Sequence, residues 1–179
     1  MLLKDISFVI PVYNRPNEID ELLKSFSRLE GDKDFEIVII EDGSTEKCDH
    51  IVKSFSDLNI SYYLKSNSGP GDSRNYGMSV AKGKYYVILD SDVILPVNYN
   101  VLLIENLTND FSDCFGGVDD SHQSFNNFQK AVSYSMTSFI TTGHIRGGSK
   151  SKDFQPRSFN MGISKEAFLK SKGLSLIHI

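Results

Sequence analysis

The stretch KYYVILDSDVILP (84–96) decides how the rest of the chain is read. An apolar run from Tyr85 stops at two aspartates separated by one serine, then turns apolar again. A short continuous apolar run bounded by turn signals reads as a strand buried on both faces. Two readings compete for its acidic end: a solvated turn, or a cation site. In extended backbone, residues i and i+2 point the same way, so Asp90 and Asp92 would face one spot. Like charges that close are unfavourable unless a cation lies between them. Mg²⁺ and Mn²⁺ take oxygen ligands, typically one or two carboxylates completed by phosphates and water. A lone DxD is also a common turn or capping pair, so its neighbours must decide.

Working outward, the same strand signal recurs. DISFVIPVYN (5–14), FEIVIIEDGS (35–44) and ISYYLK (60–65) join KYYVILD (84–90) as four strands. Between the first two, Pro16 opens a helix whose Ile19, Leu22, Leu23, Phe26 and Leu29 form one apolar face. Ile51, Val52 and Phe55 mark a short second helix. NSGPGDSRNYGMSVAKG (67–83) is a glycine-rich loop feeding a third, with Asp72 or Ser73 as cap and Gly83 as terminator. Strand–helix alternation with near-continuous apolar strands predicts a mostly parallel α/β sheet flanked by helices. Ligands of such sheets bind outside the carboxyl ends of the strands. Three polar clusters fall there: Tyr13–Asn14–Arg15, Glu41–Asp42 and Asp90–Ser91–Asp92.

The second half is less regular. Val97 to Leu107 and 125–140 read as helices, CFGGV (114–118) and FNMGIS (159–164) as strands, 143–154 as a loop, and Lys165 to Lys172 as a last helix.

The 179 residues make one domain, with 40% hydrophobic and 23% charged residues in an ordinary globular mix. A formal charge of −4 argues against nucleic acid as the partner. Cys48 and Cys114 lack a CxxC spacing, which fits a reducing compartment, and a cytoplasmic protein is expected. No apolar run reaches the length of about 18 residues that a membrane-spanning helix needs.

Each cluster also has a plainer reading. Asp42 could accept from a ligand's N–H and O–H groups, or cap the helix that follows. Arg74 and Asn75, opening a helix, could meet an anion or simply face water. The glycines match neither the P-loop nor the dinucleotide-binding fingerprint.

Taken in order and spacing, however, FVIPVYN, IIEDGST, GPGDSRNYGMSVAKGKY and VILDSD resemble the family 2 nucleotide-sugar glycosyltransferases, which have the GT-A fold. The resemblance covers residues 5–96, and RSFNMGISKEAFLKSKG (157–173) is similar to the family's acceptor-side segment. It implies a nucleotide-sugar-binding half at 1–96 and a partial acceptor-binding half at 97–179. It implies that Tyr13 and Arg15 lie at the uracil of a UDP-sugar, that Pro11 belongs to the nucleotide site, and that Asp42 hydrogen-bonds the base. Arg74 and Ser91 would lie beside the nucleotide. Asp92 would be the direct ligand of Mn²⁺ or Mg²⁺, and Asp90 would touch the ribose or a metal-bound water. Glu41 departs mildly from the usual DDGS. The implied reaction is inverting sugar transfer to a hydroxyl of a glycan or lipid-linked acceptor, which leaves room for peripheral membrane association and leaves the oligomeric state open.

One piece of the pattern is missing. Family members carry an acidic stretch just after the position of Gly173, whereas this chain reads GLSLIHI (173–179). Asp119 and Asp120 are weak candidates for the general base, and His144 is a further one. The expectation is a GT-A domain truncated at its C-terminal end, with a tail whose native status is open. Three alternatives compete. A UDP-sugar-binding fragment without a base would bind and not turn over. A sugar-nucleotide nucleotidyltransferase would need basic and glycine residues where PVYNRPNE stands. A phospho-acceptor domain would need a well-placed lysine at a later strand end, and the sequence suggests none.

Overall fold

The computed structural model describes residues 1–116 and 160–174. Six strands form one sheet: β1 (Ile6–Val12), β2 (Glu36–Asp42), β3 (Ile60–Lys65), β4 (Tyr85–Ile88), β5 (Cys114–Gly116) and β6 (Met161–Ser164). Their order is β3-β2-β1-β4-β6-β5. The first four pair in parallel, as expected. β6 runs antiparallel to both β4 and β5, an orientation that composition does not encode. The expected helix at 125–140, the loop at 143–154, Asp119, Asp120, His144 and the tail after Leu174 lie outside the described residues.

Two apolar layers cover the sheet. On one face lies α1 (Pro16–Ser27), which starts at a proline whose missing N–H costs nothing there. Its Ile19, Leu22, Leu23 and Phe26 are fully buried against Phe8 and Phe35, whose rings meet edge to face 5.1 Å apart. The single turn α2 (Asp49–Val52) and α4 (Tyr99–Asn109) complete this side. On the other face lie α3 (Pro70–Val80) and α5 (Lys165–Ser171), packed over Val38, Ile40, Tyr86 and Ile88.

α3 lies close on the sheet because its inward face is small. A Cβ on Gly77 would run into Val9 and come within 3.1 Å of Ile40. The caps differ from expectation. Gly69, not Asp72 or Ser73, holds the N-cap position, and the Ser73 hydroxyl instead donates to the Gly69 carbonyl at 3.0 Å. The helix stops at Val80 with Ala81 as cap, so Gly83 does not end it. Gly83 serves a close approach: its N–H donates to Ser7 Oγ at 2.9 Å, and a Cβ there would stand 2.6 Å from that oxygen.

The loop entering α3 is tied to the end of β2 by Asp42. Its Oδ1 accepts from Lys65 Nζ at 2.5 Å and from the Ser68 N–H at 3.0 Å, and its Oδ2 accepts from the Gly69 N–H at 2.9 Å. Asn67 Nδ2 donates to the Asp42 carbonyl at 2.9 Å. The turn that permits this needs Gly43, at φ 71°, because a side chain there would press on the Asn67 backbone 2.6 Å away. Burial alone would push the Asp42 carboxyl up. Lys65 and the two N–H groups outweigh it and hold the carboxyl below its ordinary value.

Two outcomes follow from this packing. Gly77→Ala should destabilise the fold by ~1–3 kcal/mol through overpacking, read as a lowered Tm. Asp42→Asn should cost ~1.5–3 kcal/mol at pH 7, measured by urea unfolding. A folded-state carboxyl below its unfolded value of about 3.9 adds stability above that pH and loses it as pH falls through the folded value. The gap between wild type and Asp42→Asn should therefore narrow at about pH 3. An equal gap at both pH values would show that the charge does not hold the loop.

Candidate functional site

Parallel pairing brings the carboxyl ends of β1, β2 and β4 to one edge, where a cleft of ≈ 580 Å³ opens. Pro11, Val12, Tyr13 and Arg15 line it from β1, and Asp42 from β2. Asn67, Gly69, Pro70 and Arg74 line it from the loop and α3, and Asp90, Ser91 and Asp92 from the turn after β4. Every residue to which the family resemblance gave a nucleotide or metal role is on this wall, whereas Asn75 is not: its side chain bonds the Leu174 backbone.

The local geometry corrects several of the expectations. β4 ends at Ile88, and Asp90 to Val93 form a turn closed by the Val93 N–H to the Asp90 carbonyl at 3.4 Å. The two aspartates therefore share the cleft through a turn, not through extended backbone. Arg74 does not open α3 but sits one turn inside it. Its Nη2 donates to Asp90 Oδ1 at 2.7 Å, its residue surface is only 5% exposed, and its buried Nε has no hydrogen-bond partner among the described residues. A buried donor left unpaired costs ~1–3 kcal/mol, and an anionic oxygen in the cleft is the kind of acceptor that would satisfy it.

Asp42 caps neither α2 nor any helix after it directly. Three donors already occupy its carboxylate, so it reaches the cleft as a fixed, acceptor-only group. The other members of the expected polar clusters turn away. Glu41 is fully buried and accepts from the Ser44 hydroxyl, from the Cys48 N–H and Sγ at 2.9 Å each, and from the Tyr62 hydroxyl at 3.1 Å. Burial first, then the Glu41 carboxylate, push the Cys48 thiol and the Tyr62 hydroxyl up, so both remain donors. Asn14 binds the loop after β2: its Oδ1 accepts from the Thr45 N–H at 2.8 Å and from the Glu46 N–H at 3.1 Å.

Sequence reasoning missed Asn67, Gly69, Pro70 and Lys65. The first three lay in a loop read for its glycines alone. Lys65 does stand at a strand end, where no lysine was expected, and it binds Asp42, Asp72 and Ser68. The pattern gave no signal for it, because a terminal lysine on a half-buried strand looks like a solvated edge.

The donor set fits a divalent cation of the Mg²⁺ or Mn²⁺ kind only in part. Asp90 and Asp92 supply hard oxygen ligands. Among the described residues no three His, Cys, Asp or Glu side chains converge as a complete metal site. Two carboxylates with an open remainder suit an ion whose shell is completed by phosphate and water.

Comparison with known proteins follows this geometry. Residues 7–170 match the family model Glycosyl transferase family 2. An uncharacterized glycosyltransferase of Rickettsia conorii is 46% identical over 88 residues, which is 49% of this chain and 14% of that protein. TarS 1–349 of Staphylococcus aureus, solved with UDP, superposes with a TM-score of 0.71 at 20% identity, covering 93% of this chain and 48% of that one. The mannosyltransferase PcManGT of Pyrobaculum calidifontis, solved with GDP-Man and Mn²⁺, gives 0.66 at 16% identity, covering 96% and 47%. The chain thus spans about half of either solved chain, and less of the Rickettsia protein. The superpositions carry the GT-A fold, and the family match runs from β1 to the last helix: the chain belongs to glycosyltransferase family 2.

Proposed function

We propose that this chain binds a UDP-sugar with a divalent cation, as the donor-side part of an inverting glycosyltransferase acting on an acceptor hydroxyl. The observation that carries this reading is the convergence of Tyr13, Asp42, Arg74, Asp90 and Asp92 on one cleft. TarS has been solved with UDP and with UDP-GlcNAc, and PcManGT with GDP-Man and Mn²⁺, which supports the ligand class.

Each residue then has a task. Pro11, Tyr13 and Arg15 flank the base, with Tyr13 half exposed and open to stacking. Asp42, held as an acceptor, takes an N–H of the base. Arg74 offers its unpaired Nε to anionic oxygen, with Ser91 beside it. Asp92 is the direct ligand of the cation, and Asp90, anchored by Arg74, serves the ribose or a bound water. The cation supplies Lewis-acid neutralisation of the departing diphosphate. A carboxylate must take the acceptor's proton, and within this chain Asp119 and Asp120 are the candidates. Residues 1–96 form the donor half and 97–179 part of the acceptor half. Because the chain spans about half of the solved relatives, a second reading is binding without turnover.

Titration calorimetry tests the reading directly. UDP should bind at least about tenfold tighter with Mn²⁺ or Mg²⁺ than without, a gain of ~1.4 kcal/mol. Asp92→Ala should erase that gain, and without metal it should bind UDP at least as tightly as the wild type, because the carboxylate that repels the diphosphate is gone. UDP affinity that ignores the metal in the wild type would overturn the assignment of Asp90 and Asp92.

A further inference from the structure

Two of the motif residues, Asn14 and Glu41, do not line the cleft, yet each takes part in four hydrogen bonds. Asn14 stands between Tyr13 and Arg15 with φ at 51°, a left-handed conformation that asparagine tolerates better than most residues. Its N–H donates to Ser44 Oγ at 2.8 Å. An N–H can only donate, so the Ser44 hydroxyl must send its own proton elsewhere, and Glu41 Oε1 receives it. On the other side, Asn14 Oδ1 gathers the Thr45 N–H, the Thr45 hydroxyl at 3.1 Å and the Glu46 N–H. The end of β1 is thereby fastened to the loop after β2 by four hydrogen bonds, with Glu41 as a buried anchor behind Ser44.

The side chains on either side of Asn14 lack such support. Tyr13 is 52% exposed, and among the described residues the Arg15 guanidinium pairs only with Glu18 of the helix that follows it, at 3.0 Å. Where these two groups stand in the cleft is therefore set by the backbone of residues 13–15, and that backbone is set by the latch.

We propose that Asn14 is a positioning residue: the Asn14–Ser44–Glu41 latch pre-orders Tyr13 and Arg15 for the base of the nucleotide. The inference rests on the donor-cleft reading above. A ring held in place before binding avoids the ordering cost that a free loop would incur, so the latch contributes affinity at the base end. The carboxylates at the other end of the cleft lie on a different turn and are not held by it.

Calorimetry with two probes, uridine without metal and UDP with and without Mn²⁺, separates these ends. Asn14→Asp keeps an acceptor oxygen and the left-handed preference, and should bind uridine within about threefold of wild type. Asn14→Gly keeps the backbone angle but loses every bond to Oδ1, and should bind both probes about tenfold more weakly. The ratio of UDP affinity with and without Mn²⁺ should be unchanged in both variants. Should Asn14→Gly melt below the assay temperature, Ser44→Ala breaks the other arm and should give the same pattern. A folded Asn14→Gly or Ser44→Ala variant that binds uridine like the wild type would overturn the latch. So would a loss that also collapses the Mn²⁺ ratio, since that marks general distortion of the cleft. A wild-type chain that binds neither probe would remove the donor-cleft reading itself, and the latch with it.

Discussion

β1 pairs in parallel with β2 on one side and β4 on the other, and that arrangement governs where chemistry can sit. Parallel neighbours must end on the same edge, so the chain leaves the sheet there four times, after β1, β2, β3 and β4. α1 and α3 also begin there, at Pro16 and Pro70, each bringing the positive end of its backbone dipole to that edge. Acidic turn residues at such an edge are balanced partly by helix ends and partly by Arg15, Arg74 and Lys65. An edge of this kind offers backbone N–H groups that favour an anion and carboxylates that favour a cation.

The consecutive acids of β2 show how a strand divides its labour. Side chains alternate across a sheet, so Glu41 and Asp42 must point to opposite faces. Glu41 follows Ile37 and Ile39 into the α1 layer, where it gathers Ser44, Cys48 and Tyr62. Asp42 follows Val38 and Ile40 toward α3, where it gathers Lys65, Ser68 and Gly69. Two neighbouring carboxylates thus staple two different loops, and of the two only the one held by Asp42, through Asn67 and Gly69, lines the cleft. A mild change at one of them, such as Glu for Asp at position 41, alters reach on one face without touching the other.

Much of this was legible before any coordinates. The continuous apolar runs gave β1, β2 and β4, because a strand buried on both faces has no polar residue to break it. Pro16 and the Ile19–Leu22–Leu23–Phe26 stripe gave α1 for an equally local reason. The cleft residues were legible because strand ends in a parallel sheet collect on one edge whatever the details. Three things were not. The antiparallel course of β6 depends on how the chain returns, which no local pattern carries. The turn at Asp90–Val93 looked extended because apolar residues flank it on both sides. The division between Glu41 and Asp42 needed the strand register, and Lys65 needed its partner across β2.

The charges on the cleft wall explain why metal and nucleotide are proposed together. Asp42 is paired with Lys65, and Asp90 with Arg74. Among the described residues Asp92 has no ion-pair partner, so one carboxylate charge faces the cleft uncompensated. A diphosphate arriving alone would meet that charge at close range, where like charges strongly disfavour each other. A divalent cation arriving alone would find two carboxylates, one of them already committed to an arginine, and too few ligands to fill its shell. Under the proposed function each ligand would repair the other's defect: a cation would relieve the repulsion at Asp92, and phosphate oxygens would fill the places that the carboxylates leave open. Arg74 takes part from the other side, since its unpaired Nε is satisfied by an anion and not by a cation. On the proposed reading the wall is unsuited to either component singly and suited to both at once, which would account for two aspartates at the end of an otherwise apolar run.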